Sequence, residues 1–151
     1  MFSLNVSYPS YEDEIGILLT TTRDDLPPLE KVISAAEIVE IQSAVRQVHV
    51  SRSVAEYTVR LVRATRPEDG ENVPPEVKKY IRWGAGPRAC QYLALAGKVY
   101  AVLDGRLNVS IEDIHQAANP VLRHRLILNY HAEADRVLPE DLIGKLIKAV
   151  K

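Results

Sequence analysis

Apolar and polar positions change period several times along the chain. Phe2-Ser3-Leu4-Asn5-Val6-Ser7 alternates, as a half-buried strand does. Tyr8-Pro9-Ser10 closes it, and Ser10 is placed to cap a helix reaching about Thr22. Glu12, Asp13 and Glu14 fall in that helix's first turn, where the helix dipole favours negative charge. Ile15, Leu18 and Leu19 give it an apolar face. The sequence turns helical too soon to supply the strand with a partner, and a lone strand is not stable. The segment therefore reads as the last strand of a sheet whose other strands lie elsewhere, and the chain as a fragment of something longer. Arg23 to Glu30, with Asp24-Asp25 and Pro27-Pro28, is a polar, rigid linker and the best candidate boundary. The expected division is residues 1–30 as the end of an α/β unit plus linker, and residues 31–151 as a helical domain.

Four helices are expected next. Ser34-Ala35-Ala36-Glu37 matches a capping box, and Ile38, Ile41, Val45 and Val48 continue at helical spacing. After Val48-His49-Val50, Ser51 or Ser53 caps a second helix running to about Thr65, with Val54, Tyr57, Leu61 and Val62 facing inward. Arg66 to Pro75 reads as a loop, followed by a short turn around Val77 to Trp83. A third helix starts at Gly84-Ala85-Gly86-Pro87-Arg88, where Pro87 suits the first helical position because it has no N–H to leave unpaired. Ala89, Leu93, Ala96, Val99, Tyr100 and Leu103 supply its inner stripe, and Asp104-Gly105-Arg106 ends it. Leu107-Asn108-Val109 is a short extended link, and Ser110 with Asp113 caps a fourth helix through about Ala118.

Pro120 is expected to break that helix. Val121 to Asn129 then reads as a strand with Leu122, His124, Leu126 and Leu128 on one face. Pro139-Glu140-Asp141 opens a final amphipathic helix carrying Leu142, Ile143, Leu146, Ile147 and Val150. The fold class predicted is mainly α, a four-helix bundle with a short strand and small flanking segments.

Composition narrows the function more than the fold. The chain has 151 residues, enough for one domain with a short additional segment. Its net charge of −1 gives no electrostatic footprint for nucleic acid. No apolar run is long enough to cross a bilayer, and the N-terminus lacks the regions of a signal peptide. The single cysteine, Cys90, has no partner for an internal disulfide and reads as a buried, inert thiol, so a reducing cytoplasm is expected. His49, His115, His124 and His131 do not form a ligand set with it, and no metal site is expected. No strained nucleophile turn for Ser-His-Asp chemistry is visible.

The segment with the most chemistry is Trp83-Gly84-Ala85-Gly86-Pro87-Arg88-Ala89. Two glycines allow close backbone approach, and a helix N-terminus follows with N–H groups and a partial positive charge. Arg88 adds a full positive charge in the first turn, where the dipole does not favour one. A phosphate is a natural guest for both. A structural arginine, paired with one of the many acidic residues after a Gly-Pro helix start, explains the same residues. Trp83 and Tyr80 frame an adenine pocket or, as aromatic residues before a helix more often do, fill the core. Arg123-His124-Arg125 touches a neighbour or a phosphate, or lines a solvated strand face.

Trp83 to Ala89 resembles the sensor-2 motif of MoxR-type AAA+ ATPases, usually Gly-Ala-Ser-Pro-Arg. Phe2 to Ile17, with Tyr8-Pro9-Ser10 and Glu14, resembles the segment after that family's arginine-finger region. Arg63 to Pro67 resembles the end of its second lid helix, and Gly105-Arg106 with Val109 to Asp113 the approach to its fourth. Pro120 to Arg125, Asn129 and Ala132-Glu133-Ala134 resemble its closing strand and tail. The resemblance covers nearly the whole chain. One departure is Gly86, where the family usually has serine; glycine offers no side chain to cap the first turn.

The resemblance implies a four-helix AAA+ lid, preceded in residues 1–30 by the end of the α/β core. It implies that Arg88 meets the γ-phosphate of ATP, with Gly84, Ala85, Gly86 and Pro87 forming the approach, and couples nucleotide state to lid angle. ATP and Mg would be held mainly by a core outside these residues. The chain itself contains no Gly-x-x-x-x-Gly-Lys-Ser/Thr loop and no apolar strand ending in Asp-Glu, so it is not expected to hydrolyse ATP alone. The implied partners are its own ATPase core, neighbouring subunits of a hexameric ring, and a von Willebrand factor A-type protein, in chaperone-like remodelling. Two other readings compete. A free-standing helical protein-protein interaction module would not need Arg88. A winged or helix-turn-helix nucleic-acid domain would need salt-dependent DNA binding, against the near-neutral charge.

Overall fold

The computed structural model describes residues 2–24, 28–69 and 73–150. Eight helices and a two-stranded ribbon follow one another along these residues: α1 (Tyr11–Thr21), α2 (Ala35–Gln47), α3 (Arg52–Arg63), α4 (Pro75–Tyr80), β1 (Ile81–Trp83), α5 (Arg88–Leu103), α6 (Ile111–Leu122), β2 (Ile127–Leu128), α7 (Tyr130–Ala134) and α8 (Pro139–Ala149). The protein is mainly α, a helical bundle with a short ribbon, as expected.

The helix starts follow local chemistry. Ser10, Ser34 and Ser110 each accept the N–H of the third helical residue, and the carboxylates of Asp13, Glu37 and Asp113 reach back to the capping N–H. Ser51, not Ser53, caps α3. At the other end of α5, Gly105 takes φ +69°. Gly105 N–H then donates to Val102 at 2.9 Å and Arg106 N–H to Ala101 at 2.7 Å, a Schellman turn that satisfies two terminal carbonyls.

The core lies between α3, α5, α6 and α8. Leu61, Leu93, Ile114, Leu122, Leu142, Ile143 and Leu146 are fully buried there, each contributing about 1.5–3 kcal/mol relative to exposure. α5 packs most extensively on α6, with α3 and α2 along its flanks, and α8 closes over α6. The close approach of α5 and α6 depends on Gly97, where a Cβ would stand 2.8 Å from Val109 Cγ1 and 3.2 Å from Ile114 Cδ1. This rotates the inner stripe of α5. Ala89, Leu93, Ala96, Gly97 and Ala101 are buried, whereas Val99 and Leu103, expected inside, are exposed.

Several other expectations are corrected. Residues 2–7 form no strand and pair with none, although Ser3 N–H donates to Pro120 O at 2.7 Å. The apolar stripe of α2 turns inward only at its end, where Val48 is buried. Ile38 and Ile41 remain 43% and 52% exposed, because α5 flanks α2 on one side and the described residues leave the rest uncovered. Pro120 lies inside α6 and does not end it. Its missing N–H costs one helical bond, but continuing the helix seats Val121 and Leu122 in the core with no exposure. The long strand expected over 121–129 shrinks to β2, because Arg123 to Arg125 form a turn. β2 pairs antiparallel with β1, which lies where a turn is expected, in the register Ile81↔Leu128 and Trp83↔Ile127. Asp25, Pro27 and residues 70–72 of the expected linker and loop lie outside the described residues. No helix among the described residues is long and apolar enough to cross a membrane.

Candidate functional site

The Gly84–Arg88 segment runs from the end of β1 into the start of α5, and the end of α3 holds it. Gly84 passes so close to the turn that follows α3 that a Cβ would clash with Thr65 O and lie 2.8 Å from Arg66 Cα. No side chain fits there. Ala85 is buried, and both its main-chain polar groups are bonded to the same two residues. Its N–H donates to Thr65 Oγ1 at 2.8 Å, and its carbonyl accepts from Arg66 Nε at 3.0 Å. Thr65 Oγ1 in turn donates to Val62 O at 2.6 Å.

Beyond Ala85 the surroundings open. A Cβ on Gly86 would meet nothing within 4 Å, so the serine of the resembling family would fit here. Pro87 has helical dihedrals, φ −57° and ψ −28°, and stands just before α5. The helix start offers fewer free donors than expected. Ala89 N–H bonds to Gly86 O at 2.9 Å and Cys90 N–H to Pro87 O at 3.1 Å, a tight first turn. The positive element facing solvent is therefore chiefly the Arg88 side chain. Arg88 is exposed and makes no hydrogen bond or ion pair among the described residues, so the paired structural arginine has no support there.

Arg66 is held in turn by an acid. Its Nη1 reaches Asp69 Oδ2 at 3.0 Å, and Asp69 also accepts from Arg63 at 3.1 and 3.2 Å. The hydrogen bond from Arg63 holds the Asp69 carboxyl below the usual carboxylate range. Cys90, one turn into α5, is half-buried, and burial pushes its thiol up, which makes it a poor nucleophile.

The other candidates are exposed or engaged within the fold. Trp83 is 58% exposed and is not core. Tyr80 is half-buried, with its hydroxyl donating to Asp135 at 2.9 Å. Arg123 lies 3.2 Å from Glu140 and the Arg125 guanidinium sits over the Tyr92 ring at 5.0 Å, so both are engaged within the fold. His115 Nε2 is 2.7 Å from the Tyr57 hydroxyl. Among the described residues no group of three or more His, Cys, Asp or Glu is gathered to hold a metal ion. Sequence reasoning missed Thr65 and Arg66 as part of the segment. The available signal was a Thr-Arg pair ending an otherwise apolar helical stripe.

Residues 75–146 match the AAA lid domain family. The chain is 34% identical to the chaperone MoxR1 of Mycobacterium tuberculosis over 99% of its own length and 39% of that protein's. It is 29% identical to the uncharacterised protein YeaC of Bacillus subtilis, over all of the chain and 44% of YeaC. Protein MoxR of Paracoccus denitrificans is 32% identical over 67% of the chain and 30% of that protein. A crystal structure of a candidate ATPase from Cytophaga hutchinsonii superposes with a TM-score of 0.86 at 30% identity, covering 100% of the chain and 46% of that structure's. The chain thus spans less than half the length of each relative it matches. With the helical bundle and the ordered segment before α5, these likenesses identify the chain as the lid region of a MoxR-type AAA+ protein.

Proposed function

We propose that this lid closes over ATP held by an ATPase core and presents Arg88 to the γ-phosphate as the sensor-2 residue. The observation that carries this reading is the contrast within five residues. Gly84 and Ala85 are locked to α3, while Arg88, three residues on, projects from the start of a 16-residue helix with no partner among the described residues. A cation presented without a partner, on a rigid support, fits an anionic guest. The open surroundings of Gly86 leave room for phosphate oxygens beside it. The ATP would supply the phosphoryl group and Mg its charge neutralisation. The described residues gather no acidic ligand set, so this reading assigns magnesium to the core.

In this reading residues 1–30 belong with the core, as its last segment, helix and linker, and residues 31–151 form the lid. α1 buries no residue, whereas α2, which also buries none, packs along α5; that contrast supports the division. The likeness to the chaperone MoxR1 supports a chaperone-like remodelling role. A ring of subunits, commonly a hexamer, and a von Willebrand factor A-type partner extend the same reading, in the cytoplasm.

The test is Arg88→Ala in the full-length protein. Its melting temperature is expected to stay within about 1–2 °C of wild type, because an exposed side chain without contacts contributes little. ATP turnover is expected to fall by about one to three orders of magnitude, as when a donor to transition-state charge is removed. Unchanged turnover would leave the helical interaction module as the better account.

A further inference from the structure

We infer that Thr65 and Arg66 are positioning residues for Arg88, and that the end of α3 sets where its guanidinium stands. The inference rests on the sensor-2 reading of Arg88. The structure gives Ala85 no freedom. Thr65 Oγ1 accepts its N–H at 2.8 Å, and Arg66 Nε donates to its carbonyl at 3.0 Å. The preceding glycine lies against the Thr65 carbonyl with no room for a Cβ.

Each holding group is itself held. The Thr65 hydroxyl, fully buried, spends its proton on Val62 O at 2.6 Å, which leaves its lone pairs for Ala85. Arg66 is fixed by Asp69 at 3.0 Å. Only Gly86 and Pro87 separate Ala85 from Arg88, and those two are exposed with open space around Gly86. Beyond Ala85, the described main-chain bonds, Ala89 N–H to Gly86 O and Cys90 N–H to Pro87 O, tie those two residues to the first turn of α5 itself. A shift of the α3 end is therefore carried through the Ala85 main chain to Arg88. In a lid that changes angle with nucleotide, α3 and the phosphate-facing arginine move as one piece.

The experiment compares Thr65→Val, Thr65→Ser, Arg88→Ala and the double variant Thr65→Val/Arg88→Ala in the full-length ATPase. The readouts are ATP turnover, ATP affinity, and folding by circular dichroism. Valine keeps the shape of threonine but can neither accept from Ala85 nor donate to Val62. Thr65→Val is expected to lower turnover about tenfold to a hundredfold, the scale of a misplaced catalytic group. Thr65→Ser, which keeps the hydroxyl, is expected to restore most of it. The double variant is expected to be no slower than Arg88→Ala alone, since residues acting as one unit are not additive.

Losses that multiply in the double variant would overturn the inference and leave Thr65 with a role independent of Arg88. Normal turnover in Thr65→Val beside a slow Arg88→Ala would overturn it while sparing the sensor-2 reading. Normal turnover in Arg88→Ala would sink that reading and the positioning role with it. If Thr65→Val does not fold, Arg66→Ala in place of it, paired with Arg88→Ala, puts the same question through the Ala85 carbonyl.

Discussion

Gly84 and Gly86 stand two residues apart and meet opposite surroundings. The first is pressed against the main chain of Thr65 and Arg66, just after α3, where the obstacle is backbone and cannot swing aside; the second faces open space. Gly84→Ala is therefore expected to destabilise by about 1–3 kcal/mol, the scale of overpacking, and to push the segment off Thr65. Gly86→Ser is expected to be neutral or to stabilise by a few tenths of a kcal/mol, since a serine at a helix start can cap it. Thermal unfolding of both variants decides the matter, and the reverse order would contradict the described geometry. In the sequence both glycines look alike, and either one would serve close backbone approach. What separates them is a contact with residues about 20 positions upstream, a distance that local pattern cannot span. Arg88 was legible because its charge sits where the helix dipole does not want one. Its lack of a partner was not legible, because the acids that might have met it are distributed over the whole chain.

The link between α5 and α6 shows how an element boundary gains strength from burial. Asp113 completes the capping box of α6, yet it is only 1% exposed and also receives Arg106 Nη2 at 2.6 Å and Nη1 at 2.9 Å. Arg106 in turn is set by the Schellman turn at Gly105. The hydrogen bonds from Arg106 hold the Asp113 carboxyl below the usual carboxylate range against the opposing effect of burial. A carboxyl whose folded pKa is depressed stabilises fully above its unfolded value, near 3.8, and loses that contribution as pH falls through the folded value. Asp113→Asn is thus expected to cost about 2 kcal/mol at neutral pH, as a charged hydrogen bond in a buried site does, and progressively less in acid. Melting curves from pH 7 to pH 3 would show the gap closing; a constant gap would mean that the charge of Asp113 contributes nothing. At this scale the sequence was a good guide wherever a side chain answers its own backbone, as the three serine caps do. It misled at Pro120, where the loss of one helical hydrogen bond is outweighed by burying Val121 and Leu122. It also stretched two strand residues into a long strand, because alternation in Val121 to Asn129 mimics a strand while the chain actually leaves a helix through a turn.

For the whole molecule, the informative feature is how unevenly apolar surface is distributed. The body from α3 to α8 closes its core, whereas α1 and α2 bury no residue. Phe2, Leu4, Val6, Ile17 and Leu18 are all at least 48% exposed. Scattered exposed apolar residues are ordinary, but a succession of them along one end of a chain marks a surface that meets another. In the proposed reading that surface meets the ATPase core, with residues 2–7 pairing into its sheet, so their main-chain groups gain partners that the described residues do not supply beyond the Ser3 bond to Pro120. Amide hydrogen exchange makes the comparison directly. In this chain alone, Leu4 and Val6 and the amides of α1 are expected to exchange close to the rate of an unfolded peptide, while Leu61, Leu93 and Ile114 are protected. In the full-length protein the first group is expected to slow by about two orders of magnitude or more, as local opening gains a free-energy cost of a few kcal/mol. Equal rates at Leu4 and Val6 in the two proteins would show that the core does not cover this end. Removing residues 1–30 bears on the same division from the other side. The remaining chain is expected to keep its melting temperature within about 2–4 °C, the shift that corresponds to roughly 1 kcal/mol in a domain of this size, because none of the described residues of the segment is a buried apolar side chain. A much larger fall would place residues 1–30 in the body of the lid and move the boundary upstream.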